Sequence, residues 1–311
     1  MLLYRTLSLI SCLFAVTVTG VIGGNILIRP VLGSGSHYLL AKIIATELVN
    51  RGHNITMVVQ DRYKQNHEVS GDDKRFNFEF HRSNFTQVEF VDVLQNVTDA
   101  GLRGNYMEFM MELMATTDYM KKMVSECDNL IGDDELITRL RNSNFDVALM
   151  DGSDQCPLVQ FLGGPYVVLL PTLTTVSPIW FENRMPFNPS YMPELTSELD
   201  DRMSFVERLK NTGNMIFFAF FMRLFSGPYE VLRTRYDRLA DASFYFADAE
   251  LWLINTHFVL DYPRPMLPNT FTVGGLSAAE ARPLNQVSTI HNSCLEPEIK
   301  LIKPRTYQNI E

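Results

Sequence analysis

Two side chains in this sequence stand where acid–base chemistry could be done. His37 follows Gly33-Ser-Gly-Ser36 and falls in the first turn of an amphipathic run. Asp151 closes the apolar run 145–151, Phe-Asp-Val-Ala-Leu-Met-Asp. Each lies at the carboxyl end of a predicted strand, where open α/β sheets form their ligand crevice. If those strands are neighbours, Asp151 can hydrogen-bond one imidazole nitrogen, fix the tautomer and stabilise the imidazolium that proton transfer creates. Asp154 is an alternative partner by spacing. Ser36 is placed to cap the helix. The partial positive charge of that helix end disfavours imidazolium, leaving the neutral ring that a general base needs near pH 7. Read for structure alone, His37 is a surface histidine near a cap and Asp151 a turn aspartate before Gly152. No Gly-x-Ser-x-Gly elbow accompanies the pair. The chemistry it suits is direct activation of a substrate hydroxyl.

The same glycines raise a second reading. Gly33 and Gly35 match the first two positions of Gly-x-Gly-x-x-Gly, and Asp61 ends the next strand where a ribose-binding carboxylate would sit. A dinucleotide-binding oxidoreductase rests on those three residues. Against it, Tyr38 fills the third glycine position and is too large for close helix–strand packing. Of the four cysteines, Cys12 lies near the N-terminus. Cys127 and Cys156 either pair in an oxidising compartment, leaving Cys294 free, or remain buried thiols. No zinc-type spacing of His and Cys occurs, so neither a structural metal nor a bound cofactor is predicted.

The elements that must position these groups follow from periodicity. Segments 24–31, 54–60, 76–81, 145–151, 166–171, 250–256 and 270–274 read as strands. Segments 36–50, 104–130, 133–141, 156–162, 203–225 and 229–240 read as helices, the acidic cluster at 133–135 serving as a cap and first turn. Strand–helix–strand units of this length imply a parallel sheet, here one doubly wound α/β domain over about 25–276. Segment 215–225, with five phenylalanines and Arg223, is too short to span a bilayer. It reads as a core helix, with an interfacial or acceptor-lining role as the alternative.

The chain has 311 residues, 46% of them hydrophobic, and a formal charge of −9. No long basic run offsets that charge, which excludes nucleic acid as a partner. Arg5 and the apolar run 7–18 predict a signal peptide over 1–23, an uncleaved anchor being disfavoured by length. The chain is expected in the secretory pathway, in the endoplasmic reticulum lumen or secreted. Sequons at Asn54, Asn84 and Asn96 suit that compartment, Asn54 the least because it opens a buried strand.

Four segments resemble, in order and spacing, the UDP-glycosyltransferases of animals, particularly the UDP-glucuronosyltransferases. They are GSHYLLAKIIATELVNRGHNITMVV from Gly35, FDVALMDGSDQCPLVQFLGGPYVVL from Phe145, PFNPSYMPELTSELDDRMSFVERLKN from Pro186, and FVLDYPRPMLPNTFTVGGL from Phe258. The resemblance implies a GT-B enzyme, two Rossmann-like domains facing across a cleft, with 24–284 the N-terminal acceptor-binding domain. It implies His37 as the base and Asp151 as its partner in an inverting transfer from a UDP-sugar to a lipophilic acceptor. The family's donor motif and C-terminal membrane anchor have no counterpart, and 285–311 reads as a divergent tail. The expectation is therefore an acceptor half that is inactive alone, or a non-catalytic partner that forms homo- or hetero-oligomers with full-length relatives. Peripheral membrane contact is a further expectation.

Overall fold

The computed structural model describes residues 23–83, 117–170, 177–194, 197–243, 246–259 and 261–278, with isolated positions between 95 and 112. The chain separates into two compact units, Met1–Ser277 and Ala278–Glu311, and every element below belongs to the first. The expected signal peptide, apart from Gly23, lies outside the described residues, as do Asn84, Cys294 and the tail from 285.

Seven strands form one sheet: β1 Asn25–Arg29, β2 Asn54–Gln60, β3 Asn77–His81, β4 Val147–Asp151, β5 Tyr166–Leu170, β6 Leu251–Ile254 and β7 Thr270–Thr272. Their order is β3-β2-β1-β4-β5-β6-β7, and every neighbouring pair is parallel. The winding direction reverses between β1 and β4, so this is a Rossmann-like α/β sheet with its switch point at that pair. There Ile26 to Arg29 stand opposite Val147 to Met150, which brings the two strand ends level.

Side chains alternate across the sheet as the two-residue period of a strand requires. On one face lie Leu27, Val58, Ala148, Met150, Val168 and Trp252. Helices α3 Thr117–Ile131, α4 Asp134–Asn142 and α5 Leu158–Leu162 cover them through residues such as Leu130, Leu136 and Leu158. On the other face, Ile26, Ile28, Ile55, Met57 and Leu149 pack with Tyr38, Leu40, Ala41 and Ala45 of α1 Gly35–Asn50. Helices thus lie on both faces. Asp133 caps α4 by accepting a 2.9 Å hydrogen bond from the Leu136 N–H. A disulfide joins Cys127 of α3 to Cys156 just ahead of α5, with the Cα atoms 5.5 Å apart.

Several expectations need correction. Two short helices fall where none was expected, α2 Lys64–Ser70 and α6 Ser177–Glu182. The helix expected over 229–240 is broken. Only α8 Glu230–Arg235 is α-helical, because Tyr236 turns extended (φ −121°, ψ 107°), and short 3-10 turns flank it. The expected core helix is α7 Phe205–Ser226, opened by a Ser204/Glu207 capping box. It buries Phe218 and Phe221 but exposes Phe205, Leu209, Ile216, Phe220 and Leu224. By length and composition alone, Phe205–Arg235 suffices to cross a membrane, which the shorter 215–225 does not.

Candidate functional site

The β1–α1 turn carries the histidine. Gly35 adopts φ +81°, a left-handed conformation that favours glycine. Gly33 lies so close to Tyr63 that a Cβ would fall 2.6 Å from the ring. The turn must therefore be small at both positions, and its glycines have a steric reason independent of phosphate. The Gly33 N–H already donates to Gln60 Oε1 at 3.0 Å, so it is not offered to an anion. Tyr38 is buried and donates to Asp72 Oδ2 at 2.7 Å. Asp61 Oδ1 accepts from the Ser83 N–H at 3.4 Å. The helix begins at Gly35 with Ser34 at its N-cap, and no side chain caps it, so Ser36 does not play that role.

His37 and Asp151 come together across the switch point. His37 Nδ1 lies 2.7 Å from Asp151 Oδ2, with side chains 26% and 5% exposed. Asp151 Oδ1 also accepts from the Ser153 N–H at 2.9 Å, and Oδ2 from the Val31 N–H at 3.4 Å. With the carboxylate ionised, Nδ1 carries the ring hydrogen and Nε2 keeps the lone pair. Burial lowers the His37 pKa, but the hydrogen bond and charge of Asp151 outweigh it, and the ring sits above its ordinary value. The direction of the shift is thus set by Asp151 in direct contact with the ring, against burial.

Asp154 is committed elsewhere. Its carboxylate pairs with Arg29 Nε at 2.7 Å, both side chains almost fully buried, and it accepts from the Cys156 N–H at 3.0 Å. Burial pushes its pKa up to about 6 despite Arg29. Arg29 also approaches His81 Nε2 at 3.4 Å, and burial followed by the Arg29 charge pushes His81 down to about 3. His81 is therefore neutral and accepts from Arg29. Sequence reasoning missed Arg29, Gln60 and Glu126, all buried beside the dyad's turns. The one available signal was a polar residue ending each of the apolar strands 25–29 and 54–60.

A cavity of about 660 Å³ opens at the opposite, amino end of the strands, lined by Asn25, Asn54, Asn77, Phe78 and Phe80 among others. It includes neither His37 nor Asp151, and His67, Glu68 and Asp73 also line it. Asn54 is exposed there, which corrects the expectation that its strand hides it. Asn96 is exposed as well. Among the described residues no group of three or more His, Cys, Asp or Glu is placed to hold a metal ion.

A family model described as UDP-glucoronosyl and UDP-glucosyl transferase matches residues 24–294. The chain is 30% identical over 273 residues to UDP-glucuronosyltransferase 2B1 of Rattus norvegicus, covering 84% of this chain and 50% of that protein. It is 29% identical over 274 residues to 2-hydroxyacylsphingosine 1-beta-galactosyltransferase of Mus musculus, covering 84% and 46%. Among solved structures, the glycotransferase of kitacinnamycin aligns with a TM-score of 0.45 at 14% identity, covering 85% of this chain and 54% of that one. The chain spans about half the length of the curated relatives it matches.

Proposed function

The chain belongs to the family of UDP-glucuronosyl and UDP-glucosyl transferases, and from that membership we propose that it is the acceptor-binding half of a GT-B glycosyltransferase. His37 is its general base. Nε2 takes the proton of an acceptor hydroxyl as that oxygen bonds to the anomeric carbon. The bond from that carbon to the UDP oxygen breaks, UDP leaves with the electron pair, and the configuration inverts. Asp151 holds the ring through Nδ1 and stabilises the imidazolium. The observation that carries this reading is the 2.7 Å contact at the switch point of the sheet.

The acceptor is a lipophilic hydroxyl compound and the donor a UDP-sugar. The donor's diphosphate needs positioned groups of its own, and we assign these to a second domain of the complete enzyme. The 311 residues by themselves are expected to form no conjugate from labelled UDP-glucuronate or UDP-glucose with a panel of phenols and steroids. Joined to the donor-binding half of a longer relative they are expected to form it, and His37→Gln in that enzyme to abolish it. Conjugate made by the isolated chain overturns the first statement, and indifference to His37→Gln overturns the second.

We further place the protein in the secretory pathway, glycosylated at exposed sequon asparagines. A second reading, a non-catalytic partner of longer relatives, is supported by the apolar stripe that α7 exposes. Co-expression distinguishes it: a dose-dependent change in a relative's activity supports a partner role, and its absence removes it.

A further inference from the structure

The two turns that carry the dyad are gripped from behind by one continuous set of buried contacts. Gln60, fully buried at the end of β2, holds the His37 turn with both ends of its amide. Its Oε1 accepts from the Gly33 N–H at 3.0 Å, and its Nε2 donates to the Val31 carbonyl at 3.0 Å. The Val31 peptide thus lies between Gln60 on its carbonyl side and Asp151 on its N–H side. The same Nε2 donates to Glu126 Oε1 at 3.0 Å, and Glu126 Oε2 accepts from Ser83 Oγ at 2.8 Å. Glu126 is 2% exposed and adjoins Cys127. The disulfide then carries the connection to Cys156. From there the Cys156 N–H, Asp154 and Arg29 secure the turn 151–156 that begins at Asp151.

We propose that Gln60 is a positioning residue for His37, and that Gln60, Glu126 and the Cys127–Cys156 disulfide form a brace that keeps the dyad's two turns in register. The inference rests on the reading of His37 as the base. The physical case is one of reach and burial. His37 and Asp151 meet at a single contact, His37 in the first turn of α1 and Asp151 at the end of β4, and the segments 30–34 and 152–157 that adjoin them are irregular. A base is useful only when held within a few tenths of an ångström of its working geometry. Buried polar groups that bond both a turn and a helix supply that hold, because releasing any of them leaves a donor or acceptor unsatisfied in the interior.

The test reads the contact itself and needs no turnover. The imidazole resonances of the 311-residue chain are titrated by NMR, His37 being assigned by its loss in His37→Gln. Asp151→Asn, Gln60→Leu, Glu126→Leu and the pair Cys127→Ser/Cys156→Ser are compared with the wild type, and thermal unfolding identifies the folded variants. The wild-type ring is expected to titrate above 6.5 and Asp151→Asn to lower it. Gln60→Leu, Glu126→Leu and the serine pair are expected to move it the same way. Glu126→Gln, which keeps an acceptor for Gln60, is expected to stay near the wild type. Folded variants whose His37 titrates as in the wild type, while Asp151→Asn moves it, overturn the brace and leave the base intact. If Asp151→Asn itself moves nothing, the dyad fails and the brace with it. Should Gln60→Leu not fold, Glu126→Leu and the serine pair decide the question.

Discussion

At His37 two influences oppose each other: burial favours the neutral ring, and Asp151 favours imidazolium and prevails. A raised pKa in a general base has a defined consequence for rate. The working form is the neutral ring, so in the complete enzyme transfer should rise with pH through a value above 6.5. Asp151→Asn removes the influences that raise the ring and leaves the one that lowers it. The acid limb of kcat/KM should then move to lower pH, while kcat falls about 10²–10⁴-fold for want of a partner to the imidazolium. A pH–rate profile of the two enzymes checks both statements, and an unmoved limb would contradict the assignment. His37 and Asp151 were legible because each follows a strand end that pattern alone locates. Gln60 and Glu126 were not. A lone polar residue at the end of an apolar strand reads as the start of a loop, and a glutamate in a Met-rich helix reads as its solvated face. Only the packing of α3 over the sheet buries both.

Among the elements, α1 is tied down by more than its apolar face. Asp72 is 2% exposed and takes the Tyr38 hydroxyl at 2.7 Å and the Lys42 ammonium at 2.7 Å. Burial raises the Asp72 pKa, but the hydrogen bonds from Lys42 and Tyr38 outweigh it, and the net value is lowered. A depressed carboxylate stabilises the fold above its unfolded pKa of about 3.9 and loses that contribution as pH falls through the folded value. Asp72→Ala should cost about 1–3 kcal/mol at neutral pH and flatten the loss of stability below pH 4, as read by denaturant titration. The Cys127–Cys156 link should contribute about 2–5 kcal/mol, visible as a lower unfolding midpoint in the serine pair. Helix α7 makes a different kind of statement. It exposes an apolar stripe within the segment 202–238, where seven Arg and Lys stand against three Asp and Glu in a chain of net charge −9. Local basic charge beside exposed phenylalanine suits an anionic lipid surface. Phe220→Ser with Ile216→Ser should reduce co-flotation with phosphatidylserine vesicles while leaving the unfolding midpoint within about 0.5 kcal/mol equivalent, as for exposed sites. Unchanged flotation would remove the expectation of peripheral membrane contact. The apolar run was readable as a helix, but its burial was not, because periodicity reports a face and not what covers it.

For the molecule as a whole, alternation of strands and helices was enough to predict one parallel, doubly wound sheet, and the observed order adds where it reverses. That reversal joins residues far apart in sequence: β1 pairs with β2 across its own helix, yet its other neighbour, β4, begins at Val147. Every hydrogen bond on that side of β1 is therefore long-range. This has a consequence during synthesis. Once β3 has left the ribosome, β1, β2 and β3 can pair, but β1 remains an open edge of apolar residues until β4 emerges, roughly 65 residues later. At about 5–20 residues per second that interval is roughly 3–13 s. Exposed edges of this kind template wrong pairings. The nascent chain is thus most vulnerable to aggregation, and most in need of a chaperone, in the interval before the strand that brings Asp151 to His37 arrives.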